Sequence, residues 1–269
     1  MALRSIIRSP LASSAAAAMG AYAYPFVNAE ATTLVGLMSV QPTNARKALI
    51  DALITSLKSA GVWAKLDVLW IPAAHDSQAG RLNWKSPGTF TLAEVSAPTF
   101  TTDRGYTGNG TSSYLTTGWI PSTNGVNYVR DNASLFAWSR TSALIAAGIF
   151  GGGTVSTFRI MPRTTGDFYA YLANDATSRG PANTDGSGFF GWSRTGATAT
   201  QPYKNGVAQG AVDATASTTI PAGQANLLRT ASVFSSAQIA VAAAGASMDA
   251  TENLALYNAL QTYMTAIGA

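Results

Sequence analysis

Between Val62 and Ser232 the chain is written in short runs of strand-forming residues, punctuated by Gly, Pro, Asn and Asp. The runs are Val62 to Ile71, Thr89 to Val95, Tyr114 to Thr117, Ser134 to Ser139, Phe158 to Met161, Asp167 to Leu172, Gly188 to Ser193 and Gln201 to Lys204. A segment this broken cannot supply long helices. It can supply many short strands, and such strands bury their apolar residues only by stacking into a sandwich or closing into a barrel. Asn205-Gly206, between Tyr203 and Val207, is the sharpest local signal, because both residue types tolerate the positive φ angles of a two-residue hairpin.

The flanks read differently. Thr43 or Asn44 can cap a helix after Pro42, in which Leu49, Ile50, Leu53, Ile54 and Leu57 recur at helical spacing up to Gly61. At the other end, Ser235 with Gln238 has capping-box spacing before an Ala-rich stretch reaching Gly245, which predicts a short helix. Asp249 with Glu252 repeats the device before a longer helix with Leu254, Tyr257, Leu260, Met264 and Ile267 on one face. The expected division is an attachment arm over residues 1–30, a helical segment over 31–61, the β domain over 62–232, and two helices over 233–269 packed on it or on an oligomer interface.

Residues 1–23 have some features of an export signal, with Arg4 and Arg8 before an Ala-rich stretch. Arg8 and Pro10 interrupt its apolar run and Ser13 and Ser14 dilute it, so an ordered arm is the expectation; the segment is too polar to span a membrane. Only 11 % of residues are charged, against roughly 25 % in an ordinary soluble domain. A surface so poor in charge suggests lasting contact with other chains, and hence a homo-oligomer. The net charge is +4, but no run interleaves basic and aromatic side chains, so a nucleic-acid partner is not expected. The absence of cysteine removes disulfides and thiolate metal sites.

Several stretches carry a family resemblance: Leu82-Asn83-Trp84-Lys85, Pro87-Gly88-Thr89, Pro98-Thr99-Phe100, Asp103 through Gly110, Phe234-Ser235 to Ala240, Leu256-Tyr257 and Gln261-Thr262-Tyr263. Together they resemble virion proteins of tailed bacteriophages and prophages that contain a concanavalin A-like (laminin G-like) jelly roll. The resemblance implies a mainly β chain: an antiparallel jelly-roll β-sandwich with an N-terminal arm and helix and two C-terminal helices. It further implies a place on the phage particle surface, as tail fibre, spike, or head or neck decoration. The partners would be other virion proteins and cell-surface polysaccharide, and Arg4 and Arg8 would belong to the arm that attaches the protein.

Chemistry is scarce in the residues. Sugar hydrolysis needs two flanking carboxyl groups, and the glutamates are Glu30, Glu94 and Glu252, none with a second carboxylate two residues away along a strand. His75 is the single histidine, and His75-Asp76 lacks the nucleophile elbow of a serine hydrolase. The expectation is therefore a non-enzymatic protein with no catalytic residue, the alternative being a secreted or virion-associated polysaccharide hydrolase of sandwich fold. Zinc lacks ligands, and no cofactor is expected. Structural calcium is the one metal the loops could hold, through Asp103, Asn109, Asp131, Asn132, Asn174, Asp175, Asn183 and Asp185, residues that also form turns. Sugars stack on aromatic faces and bond to polar side chains, which makes Trp119, Tyr128, Trp138, Arg140, Trp192 and Arg194 the candidate glycan-binding set. Trp138-Ser139-Arg140 and Trp192-Ser193-Arg194 repeat a tripeptide, as neighbouring strands presenting like faces would.

Overall fold

The computed structural model describes residues 24–152 and 157–269, so Arg4, Arg8 and most of the expected arm lie outside the described residues. The chain opens with α1 (Ala29–Gly36), α2 (Asn44–Ser59) and a single-turn α3 (Val62–Lys65). Five strands follow, β1 (Leu66–Trp70), β2 (Ala93–Val95), β3 (Thr99–Thr101), β4 (Gly105–Thr107) and β5 (Tyr114–Thr116), then the short α4 (Pro121–Asn124). The middle of the chain holds β6 (Ala133–Ser139), β7 (Phe150–Gly152), β8 (Phe158–Thr164), β9 (Phe168–Ala173), β10 (Gly188–Gly196), β11 (Ala199–Lys204) and β12 (Val207–Ala208). The end holds β13 (Ala225–Leu227), the β14 (Arg229–Thr230) and β15 (Val233–Phe234) ribbon, β16 (Gln238–Gly245) and α5 (Ala250–Ala266).

Two antiparallel sheets form the body. The larger runs β12-β11-β10-β6-β16-β4-β3, with β1 also paired to β16, and the smaller runs β2-β5-β13-β7-β8-β9. The expected antiparallel β-sandwich is thus present, with a third layer added. One face of the larger sheet meets the smaller sheet; the other is covered by α1, α2 and α5. Strand alternation sorts side chains between these two cores. Along β6, Leu135 and Ala137 enter the core between the sheets, whereas Phe136 and Trp138 enter the core under the helices.

Thr43 caps α2 by accepting the Arg46 N–H at 3.2 Å. Ile50, Leu53, Ile54 and Leu57 are then buried on the face that meets the sheet layer. Asp51, buried on the same helix, accepts the backbone N–H groups of Val27 (2.7 Å) and Asn28 (2.9 Å) and fixes the approach to α1. At the hairpin joining β11 and β12, Asn205 and Gly206 both have positive φ, 51° and 76°, as the dipeptide predicts.

Three sequence expectations change. The stretch from Val62 begins with the turn of α3, and the strand starts at Leu66. The predicted helix ending near Gly245 is instead β16, paired to β6 on one side and to β1 and β4 on the other, so the sandwich extends past residue 232. Its Ala-rich sequence reads as helix because both faces are buried, which removes the polar alternation that marks a half-exposed strand. Ile239, Ala242 and Ala244 face the smaller sheet while Ala240, Val241 and Ala243 face the helices. Ser235, expected as a cap, accepts the Ala237 N–H in the turn that enters this strand. Only one C-terminal helix remains. The expected capping box of α5 is present, Asp249 accepting from Glu252 N–H and Glu252 from Asp249 N–H, each at 2.9 Å. Its buried face is Leu256, Leu260, Tyr263 and Met264, while Leu254 is exposed.

Candidate functional site

Four members of the sequence-predicted set lie in the interior. Trp119, Tyr128 and Trp192 are fully buried in the core between the sheets. They pack edge to face, with ring centroids 5.6 Å apart for Trp119 and Tyr128 and 6.4 Å for Tyr128 and Trp192. The Tyr128 hydroxyl donates to Asn174 Oδ1. Burial of this kind gives the rings no face to offer a sugar, so these residues are corrected to core.

Arg194 is also buried, and it is fully provided for. Its Nε donates to Ala173 O at 2.7 Å, Nη1 to Ala197 O at 2.8 Å, and Nη2 to Asp175 Oδ2 at 3.0 Å. Asp175 also holds Arg179 (2.8 Å), which reaches Asp213. Burial pulls the Arg194 guanidinium below its ordinary pKa, and the Asp175 charge opposes that pull. This network ties β9, β10 and the loop at Asp213–Thr215 together, which is a structural role.

Trp138 and Arg140 are placed elsewhere: Trp138 is buried too, but in the core under the helices, and Arg140 is half-buried at the margin of that layer. Both belong to the helix-side face at the end of β6, where they line a depression of about 310 Å3 with Ser187, Gly188, Asn205, Tyr257 and Gln261. Tyr257 comes from α5 and stacks on Trp138, centroids 5.8 Å apart with 20° between planes. Phe189, the cross-strand partner of Trp138, supports it from below at 5.5 Å. Asn205 Oδ1 accepts the Phe189 N–H at 2.8 Å, which anchors the hairpin at the rim. Gly188 is required at this spot: it has φ 122°, and a Cβ there would lie 2.7 Å from Asn205 Oδ1. Sequence reasoning missed Tyr257, Asn205 and Gln261, because they reach the depression from the β11–β12 turn and from α5.

The charges around the depression are uneven. Each of the 13 carboxylates in the sequence accepts at least one hydrogen bond within the protein. The Arg140 guanidinium, by contrast, has no ion pair or side-chain hydrogen bond among the described residues, and its Nε is buried without a partner. Burial lowers its pKa, and the neighbouring Arg104 charge lowers it further.

The remaining candidate groups have local explanations. Asn109 Oδ1 accepts the backbone N–H groups of Thr111, Ser112 and Ser113, and Asp103 pairs with Arg46 at 2.7 Å. Among the described residues no three His, Asp or Glu side chains gather in one place. His75 Nε2 lies 2.9 Å from Val40 O, while Asp76 Oδ1 accepts from Gln78 N–H at 3.0 Å, so the two serve separate turns. No described helix is long and apolar enough to cross a membrane.

No protein family matches the chain, and no curated protein sequence does. Solved structures do share its fold. The sialidase of Trypanosoma rangeli is similar at 10 % identity and a TM-score of 0.55, over 81 % of this chain and 39 % of that one. A mutant of the same enzyme with trans-sialidase activity gives 12 % identity and a TM-score of 0.54, over 81 % and 39 %. Botulinum neurotoxin type C, which depends on interaction with two ganglioside molecules to enter cells, gives 11 % identity and a TM-score of 0.55, over 76 % and 53 %. The chain therefore spans about half or less of the length of these neighbours. The expectation of a non-enzymatic protein is corrected by these matches: sialidases contain this sandwich, so its architecture does not set the chain apart from enzymes. The lectin-like part of the family resemblance agrees with the shared fold; the neighbours described here are not virion proteins.

Proposed function

We propose that the sandwich binds carbohydrate in the depression between the end of β6 and α5, and that it does so as a surface component of a phage-type particle. The observation that carries the binding reading is the meeting of a stacked Trp138–Tyr257 pair with a partnerless Arg140 in one recess of about 310 Å3. That volume sits at the lower end of ligand-pocket sizes. A half-buried Tyr257 ring backed by the buried Trp138, with adjacent hydrogen-bonding groups, suits a sugar, whose C–H face is apolar and whose hydroxyls are not. The neighbours add support by fold: one is a sialidase and another interacts with gangliosides, both dealing with glycans. The virion placement is supported by the sequence resemblance and by the charged fraction of 11 %.

A glycan array probed with the purified protein tests the binding reading. Binding that is lost in Tyr257→Ala, with an unaltered melting curve for a Tyr257→Phe control that still binds, is the expected result. Binding that survives both Tyr257→Ala and Asn205→Ala would place the site elsewhere. Assaying the bound polysaccharide for new reducing ends reads whether it is also cleaved. Co-sedimentation of the protein with assembled particles tests the virion placement, and its absence from them removes that part.

A further inference from the structure

We infer that the saccharide taken by this depression carries a carboxylate, with Arg140 as the group that receives it. The inference rests on the carbohydrate reading above and narrows it to acidic sugars such as uronic or sialic acids. Arginine stays protonated in proteins and presents five N–H donors and no acceptor. At Arg140 none of these donors meets a protein oxygen among the described residues, and the Nε–H is shut off from solvent as well. A buried donor left unsatisfied is costly, more so when charged. Elsewhere the chain pays no such cost for a carboxylate; no acidic side chain in it lacks a donor. The neighbouring Arg104 charge bears on Arg140 and repels it.

The other free polar capacity in the recess has the same sense. Asn205 uses its Oδ1 on Phe189, leaving the amide Nδ2 group without a partner among the described residues. Gln261 is already engaged, its Oε1 by the Tyr257 hydroxyl (3.2 Å) and its Nε2 by Thr265 (2.9 Å). The Ser187 hydroxyl is turned to Asp185 Oδ1 at 2.8 Å. Among the side chains of Arg140, Ser187, Asn205 and Gln261, what remains for a ligand is thus a cation and an amide donor, beside the Tyr257 ring; Ser139 and Ala269 complete the lining. A guanidinium donates two parallel hydrogen bonds to a carboxylate, a match that neutral hydroxyls lack. The sugar ring would lie against the half-buried Tyr257 ring, which the buried Trp138 backs, with its carboxylate directed at Arg140.

The test uses one array holding uronic-acid and sialic-acid glycans, the same glycans with the carboxyl methyl-esterified, and sulfated neutral glycans. The wild-type protein is expected to prefer the acids over their esters by roughly tenfold or more. Arg140→Gln should erase that preference while keeping the weaker binding to the esters, and Arg140→Lys should restore only part of it. Equal binding of acids and esters by the wild type would overturn the inference and leave the carbohydrate reading standing. A preference retained in Arg140→Gln would overturn Arg140 as the receiving group. Sulfated glycans binding as well as the acids would overturn the carboxylate requirement. Silence on every glycan would remove both readings together.

Discussion

Trp138-Ser139-Arg140 on β6 and Trp192-Ser193-Arg194 on β10 are the same tripeptide on adjacent hydrogen-bonded strands, yet they occupy opposite sides of the larger sheet. The register explains the divergence. Trp138 pairs with Phe189, and Trp192 pairs with Leu135, three residues back along β6 from Trp138. An odd offset on a strand reverses the face. Trp192 and Arg194 therefore enter the space between the sheets, where Arg194 is surrounded by acceptors. Trp138 and Arg140 face the helix layer at its margin, where α5 covers the tryptophan and leaves the arginine unmatched. The serines follow the opposite phase: Ser193 Oγ turns to the helix side and bonds Met248 O at 2.8 Å, whereas Ser139 makes only long local bonds of 3.3 and 3.4 Å with Thr141. Identical letters thus become a core pillar in one place and a rim with spare donors in the other.

The two tripeptides should differ sharply in what they contribute to stability. Asp175→Ala removes the carboxylate partner of a guanidinium that has no access to solvent, and should cost roughly 3–5 kcal/mol in denaturant unfolding. If it costs less than about 1 kcal/mol, Arg194 is not the pillar described. Trp192→Ala empties space between the sheets and should cost about 3–5 kcal/mol by the same measurement. Next in size, Ser193→Ala strands the N–H of Met248, bonded to Ser193 Oγ at 2.7 Å, while the Met248 carbonyl keeps the Asn253 amide at 2.9 Å. It should lower stability by about 1–3 kcal/mol, while Ser139→Ala stays near wild type. The smallest effect is expected at Arg140. Arg140→Met should leave the midpoint of unfolding within about 0.5 kcal/mol of wild type, or raise it slightly, because no protein acceptor loses a donor. A marked loss there would mean that Arg140 holds the fold and would erase the contrast.

Much of the fold was legible in the residues, for reasons that can be located. The helix at Asn44–Ser59 announced itself by its cap and stripe, α5 by its Asp249–Glu252 box, and the β11–β12 hairpin by Asn205-Gly206. Each of these depends on neighbours within a few residues. β13 was missed because its three residues, Ala225, Asn226 and Leu227, are too few to show alternation, and β16 because its buried faces are both small and apolar. The site was less legible still. Of six candidate residues, Trp138 and Arg140 reach the depression, and their companions Asn205 and Tyr257 stand 65 and more positions further along the chain.

By itself, then, the amino-acid sequence determined the rhythm of short strands, their turns and the two long helices, since those follow from local backbone preference and period. Only the tertiary structure decided which face of each strand looks toward which layer. That choice is made by cross-strand pairing between distant segments, and it separates the satisfied arginine at position 194 from the one at 140 that still has donors to give.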